Sequence, residues 1–164
     1  EFCAIYKGDT KTGITFHLMN EKFDCGNIIL QKELDILSTD TTISLKIKLA
    51  NLMCDSLKDF FHLIDLDNLQ GKPQDESKST YCKLKIDSDH IHKNLTVKQI
   101  KSIINAHHGD SYEPYCEIKS KKIYVLAYNK EGLSFECKDG QLKFNIIRYK
   151  NKIYRAEEIE KLFL

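Results

Sequence analysis

"GDTKTGITFHLMNEKFDCGNIILQ", residues 8–31, carries the reading of the whole chain. "GITFHLM", residues 13–19, is rich in β-branched and apolar residues and follows the Gly-containing turn "KGDTKTG", which predicts a strand. "NEKFDCG" predicts a loop, and "NIILQKELDI", residues 27–36, a second strand, apolar at its start and alternating later. Between the two strands stands Asp24, just ahead of Ile28, Ile29 and Leu30. Two readings of that carboxylate are open. Asp, Gly and Asn are turn formers, since Gly accepts positive φ and Asp or Asn bonds its own backbone. A half-buried acid at the mouth of a strand is also well placed to work on a bound ligand.

Downstream, "STDTTISLKIKLANLMCDSLKDFFHLI", residues 38–64, predicts the strongest helix. Ser38, Thr39 and Asp40 are N-cap candidates, and Ile43, Ile47, Ala50, Cys54, Leu57 and Phe61 recur at helical spacing as the expected core stripe. "DLDNLQGKPQDESKST" is a polar loop with Gly71 and Pro73, the expected domain boundary. "LTVKQIKSIINAH", residues 95–107, predicts a short amphipathic helix. "YCEIKSKKIYVLAYN" predicts two strands about a Lys-rich turn. Further strands follow, with a hairpin at Asp139-Gly140 and a short closing helix from Ala156. The expected organisation is three parts: 1–70, α/β; 71–94, a linker; 95–164, a small helix plus an antiparallel sheet.

Composition narrows the classes. The chain has 164 residues, 41% hydrophobic and 30% charged, the balance of an ordinary globule of one compact domain or two small ones. A net charge of +1 supplies no global field toward nucleic acid or membrane. No apolar run approaches the roughly 20 residues that span a bilayer, and no signal peptide is visible. Cysteines at 3, 25, 54, 82, 116 and 137 form no C-x-x-C pair and read as reduced thiols of a cytoplasmic protein. His90-x-His92 and His107-His108 could touch a metal, but structural or surface roles are the expectation, and no metal site is expected. The chain opens at Glu1 without an initiator Met, the start expected of a piece of a longer protein.

Residues 8–31 resemble the G-D-x-x-T-G-[VI]-T-x-x-x-M-x-x-x-x-D-x-G-x-I-x-x-Q segment of the folate-dependent formyltransferases. Gly8, Asp9, Thr12, Gly13, Thr15, Met19, Asp24, Gly26, Ile28 and Gln31 fall into that pattern. Asp40-Thr41 and "KLA" at 48–50 continue it, so the strong resemblance covers residues 1 to about 60. It implies the latter half of a Rossmann-like catalytic domain in residues 1–70. The family's reaction is attack of an amine on the formyl carbon of 10-formyltetrahydrofolate, through an oxyanion that preorganised donors stabilise. The resemblance gives Asp24 the role of the family's catalytic Asp, which orients and charges a His and helps relay the amine's proton. It assigns Met19, Asn20, Glu21, Lys22 and Phe23 to the loop that shapes the folate pocket. For Met19 and Phe23, ordinary core packing is the alternative.

The family's Asn-x-His pair lies upstream of this segment, so residues 1–164 are expected to hold one catalytic residue of three and to be inactive alone. About 75 residues follow residue 87, short for a linker plus the full barrel of the transfer-RNA enzymes. "INAHHGDSYEPYCEIKSKKIYVL" looks more like the sugar-nucleotide enzymes, which end in a small helix and a hairpin often used for dimerisation. The resemblance thus implies an amino-sugar nucleotide as acceptor, a homodimer, no membrane partner, and a place in bacterial lipopolysaccharide or O-antigen biosynthesis. Lys119, Lys121, Lys122, Arg148, Lys150 and Lys152 keep transfer RNA open as the alternative acceptor, since they could contact phosphates. A solvated strand face would explain them too. A third reading is a non-catalytic remnant acting as a binding module.

Overall fold

The computed structural model describes residues 1–65, 70–83, 88–109 and 112–163. The expected boundary at residue 70 adjoins residues 66–69, and the expected linker contains 84–87; both stretches lie outside the described residues.

The opening residues form a short helix, α1 (Phe2–Lys7), closed by Gly8 in the left-handed conformation at φ 75°. β1 (Lys11–His17) and β2 (Ile28–Asp35) then pair as an antiparallel hairpin. Ile14 and Phe16 face the same side as their partners Lys32 and Leu30, and α2 (Thr42–Asp65) lies against that side. Phe16 stacks on Phe60 of α2 at 4.6 Å between ring centroids, and Lys32 pairs with Asp59 at 2.5 Å.

The predicted helix is present, but it does not bury the predicted face. Leu45 is fully buried, Ser56 is buried, and Leu49, Leu52 and Leu63 are half-buried on the side that meets the hairpin. Ile43, Ile47, Leu57 and Phe61 of the expected stripe are exposed, as is Cys54. Both sides of α2 repeat apolar residues at helical spacing, so periodicity reveals a helix without revealing which side is covered.

The start of α2 is held by Asp40. Its carboxylate accepts from the Leu37 N–H at 2.8 Å, the Ser44 hydroxyl at 2.9 Å and the Lys48 ammonium at 2.6 Å. Burial opposes the charge on Asp40, but these donors outweigh it and hold the carboxyl below its ordinary value.

α3 (Val97–His107) begins at a reciprocal cap. The Gln99 N–H donates to the Thr96 hydroxyl, and the Thr96 N–H donates to the Gln99 side chain. Ile100, Ile103 and Ile104 of α3 pack on a curled antiparallel sheet of β3 (Tyr115–Ile118), β4 (Lys121–Asn129), β5 (Leu133–Cys137), β6 (Gly140–Tyr149) and β7 (Lys152–Arg155). The strand order is β3-β4-β6-β5, and β7 continues along the edge of β6 beyond β5. Ile159 and Phe163 of α4 (Ala156–Phe163) close this core. The β3–β4 and β6–β7 connections are two-residue turns in which Lys119, Ser120, Lys150 and Asn151 all take positive φ, the geometry that matches strand twist.

One reading of the cysteines is overturned. Cys3 and Cys82 form a disulfide, leaving Cys25, Cys54, Cys116 and Cys137 free. The two sulfurs are 79 residues apart in sequence, so spacing alone could not pair them; the segment 70–83 brings Cys82 back to α1. Among the described residues, no helix is long and apolar enough to cross a membrane.

Candidate functional site

Residues 18–27 connect β1 to β2 as a loop closed at its neck, where the Leu18 N–H donates to the Asn27 carbonyl at 2.9 Å. Gly26 passes so close to the backbone of residue 18 that an added Cβ would lie 1.5 Å from the Leu18 carbonyl oxygen. A side chain there would force the neck apart, which is why this turn requires glycine.

Asp24 takes the left-handed conformation at φ 55°, which Asp tolerates better than most residues. Its turn-forming role is therefore real. Its side chain, however, is 96% exposed, not half-buried at a strand mouth. The loop extends past the ends of both strands, so no second layer covers the carboxylate.

Met19 and Phe23 are 94% and 98% exposed, which overturns the core-packing alternative for both. Asn20, Glu21 and Lys22 are exposed beside them, and the Asn20 side chain accepts from the Lys22 N–H at 2.9 Å. All the expected loop residues thus surround Asp24 on one projecting segment. Two large apolar side chains held in solvent next to a carboxylate are unusual for an idle turn.

A histidine that was not among the sequence candidates joins them. His17 ends β1, and its Nδ1 lies 2.9 Å from the Leu18 carbonyl oxygen. A carbonyl only accepts, so Nδ1 carries the proton, and Nε2 faces Asp24 Oδ1 at 3.7 Å. The signal was available in principle, because a hairpin loop returns close to the strand end it left.

The second wall of the site comes from far along the chain. Gln70–Lys83 runs as a strap beside the loop. Ile28 and Lys72 exchange backbone hydrogen bonds at 2.7 and 2.8 Å, and Asn27 Nδ2 donates to the Gln70 carbonyl at 3.0 Å. Loop and strap enclose an open cleft of about 440 Å³ lined by Asp24, Cys25, Gln31, Gln74, Asp75 and Lys78. Gln31 and Thr15, both in the motif, pair with each other across the hairpin at 2.9 Å, so their first role is to fix strand register.

Other candidates are drawn into the fold. The literal triplet Asn105-Ala106-His107 ends α3, where Asn105 donates to the Ser38 carbonyl and accepts from the Tyr128 hydroxyl, and His107 meets Phe2 edge-on. This placement makes it part of the packing of α3 against its neighbours. His90 stacks on Tyr115 at 4.8 Å. Among the described residues, no three His, Cys, Asp or Glu side chains come together to hold a metal ion.

The basic residues of the sheet are largely engaged too. The Lys119 and Lys121 ammonium groups donate to the Phe163 and Leu162 carbonyls at the end of α4, where the helix dipole favours cations. Arg148 pairs with Glu113 at 2.9 Å, and Lys122 lies 3.6 Å over the Tyr115 ring.

Residues 3–57 match the family model described as formyl transferase. A methionyl-tRNA formyltransferase of Leptospira interrogans is 31% identical over 143 residues, covering 85% of this chain and 45% of that protein. That of Treponema denticola is 40% identical over 83 residues, 49% of this chain and 25% of its own length. The chain spans about half the length of the curated relatives it matches most broadly. Among solved structures, HypX from Aquifex aeolicus superposes with a TM-score of 0.73 at 14% identity, over 99% of this chain and 33% of its own. An N-formyltransferase from Helicobacter canadensis, in complex with folinic acid and dTDP-3-aminofucose, gives 0.65 at 22% identity, over 93% of this chain and 60% of its own. These two share the fold.

Proposed function

We start from the premise that this chain belongs among the folate-dependent formyltransferases, and we propose that the whole protein moves a formyl group from 10-formyltetrahydrofolate to the amine of an amino-sugar nucleotide. The observation that carries this reading is the projecting loop. Asp24 stands between exposed Met19 and Phe23 at the edge of the cleft, within 3.7 Å of His17.

In this reading Met19 and Phe23 contact the apolar parts of the folate, while Asn20, Glu21 and Lys22 present polar groups and backbone to its ring. Asp24 holds a negative charge beside an imidazole and takes up, through water, the proton that the attacking amine loses. Residues 1–70 serve as the later part of the catalytic domain, 71–94 as a linker carrying the strap, and 95–164 as an accessory unit. The family's Asn-x-His pair belongs to sequence upstream of the motif, so residues 1–164 alone turn over no formyl-folate. The working form is a homodimer.

The sugar reading draws support from the sheet, where Lys119 and Lys121 are held at the carbonyl end of α4, Lys122 lies over the Tyr115 ring and Arg148 pairs with Glu113. One observation favours methionyl-tRNA as acceptor instead: the 31% identity to a methionyl-tRNA formyltransferase over 85% of the chain. Incubating the complete protein with 10-formyltetrahydrofolate and either amino-sugar nucleotides or charged initiator transfer RNA separates the two. Formylation of the RNA alone sinks the sugar reading. In the same protein Asp24→Asn keeps the turn but loses the charge. It is expected to lower kcat by about 10²- to 10⁴-fold with folding intact, and near-normal turnover would return Asp24 to turn-forming alone.

A further inference from the structure

The loop that carries Asp24 is gripped at one point by a single side chain of the strap. Gln74 Nε2 donates to the Asp24 carbonyl and to the Gly26 carbonyl, each at 2.7 Å. An amide nitrogen has two hydrogens, and both are used here. Both partners are acceptors, so only one orientation of the amide satisfies them.

The two carbonyls belong to the residues on either side of Cys25, so one planar group fixes the backbone across the turn. Asp24 needs such a grip. A non-glycine residue in the left-handed region, even Asp, is less favoured there than glycine and persists where its surroundings impose it. The exposed carboxylate stands 3.7 Å from His17 Nε2, too far for a hydrogen bond. Its direction therefore follows the backbone beneath it.

The strap is itself anchored. Lys72 pairs with Ile28, Gln70 accepts from Asn27, Pro73 restricts the backbone just before Gln74, and Cys82 is bonded to Cys3 of α1.

The geometry points to Gln74 as a positioning residue for Asp24: through two hydrogen bonds to the loop backbone it sets where the carboxylate stands during formyl transfer. This rests on the reading of Asp24 given under Proposed function. Gln74 touches no reacting atom, and it acts from 50 residues away in sequence.

The test uses the complete protein, 10-formyltetrahydrofolate and the amino-sugar nucleotide. Gln74→Met keeps the length of the side chain and removes both donors. It is expected to lower kcat by about 10- to 100-fold, the scale of an ångström-sized misplacement. Gln74→Lys, which restores hydrogens able to reach carbonyls, is expected to recover a large part of that loss; recovery no better than Met would show that donor chemistry is not what matters. The decisive arm repeats Gln74→Met in the Asp24→Asn background, where the further loss is expected to be less than about threefold because the charge to be placed is gone. Equal losses in both backgrounds would make Gln74 a general structural residue and overturn the inference, as would an unchanged kcat in the first.

A second readout needs no turnover. Tryptic cleavage after Lys22, followed in residues 1–164 by mass spectrometry, is expected to quicken several-fold in Gln74→Met. An unchanged rate would mean that the loop is not held by Gln74. Normal turnover in Asp24→Asn alone would instead sink the catalytic reading of Asp24, and the Lys22 cleavage would still report on the grip.

Discussion

The two halves of this chain are both rich in apolar residues and use them in opposite ways. In the C-terminal unit, α3, α4 and the curled sheet turn inward around Ile100, Ile123, Val125, Phe144, Ile147 and Ile159, each fully buried. In the N-terminal unit, Leu45 is the fully buried hydrophobic residue of α2, while Ile43, Ile47, Met53, Leu57 and Phe61 of the same helix meet solvent. One half closes on itself. The other offers apolar surface outward, on the open side of α2 and at the tip of the Asp24 loop. Such contiguous exposed apolar surface marks places where further contacts are made.

Three measurements press on that contrast. The largest effect belongs to the closed half. Phe144→Ala opens a cavity against Phe135 and the rest of the core and should cost about 3–5 kcal/mol in denaturant unfolding. A loss below 1 kcal/mol would mean that this core is looser than its burial indicates. Next comes the bond that ties the end of the strap to α1. Reducing Cys3–Cys82 releases a span of 79 residues, and a disulfide typically contributes on the order of 2–4 kcal/mol. Cys82→Ser should reproduce the fall, and reduction should then have no further effect. The smallest effect is expected on the open side of α2. Ile47→Lys should change stability by less than about 0.5 kcal/mol, because the side chain is already in water. A large loss in the complete protein, with none in residues 1–164, would show that this side is covered there.

The contrast also explains which features were legible in the sequence. The alternation in β2, the apolar spacing of α3 and the hairpin signal at Asp139-Gly140 each encode local structure through local chemistry, and the elements appear, with the hairpin turn at Lys138-Asp139, one residue earlier than expected. The run from Gly8 to Gln31 is a hairpin whose neck explains Gly26 and whose register explains the pairing of Thr15 with Gln31. α2 shows the limit. Its apolar residues repeat on two sides, and only the hairpin beneath it selects the Leu45 side. The site was legible in one wall only. Asp24 and its loop neighbours share one short segment, but Gln74 and Cys82 reach them through the path of the chain, which no local pattern records.

The lysines that end α4 have a consequence for charge. A polyanion gains affinity by releasing counterions, and the slope of affinity against salt counts the cations it engages. Lys119 and Lys121 already neutralise the carbonyl end of a helix, and Arg148 already faces Glu113. Of these three, Arg148 alone is matched by an opposite charge, while the carbonyl partners of the two lysines are neutral and leave both ammonium charges in place. The face they occupy would therefore still respond to salt, through Lys119 and Lys121 as well as Lys150 and Lys152 at its rim, with the charge of Arg148 offset by Glu113.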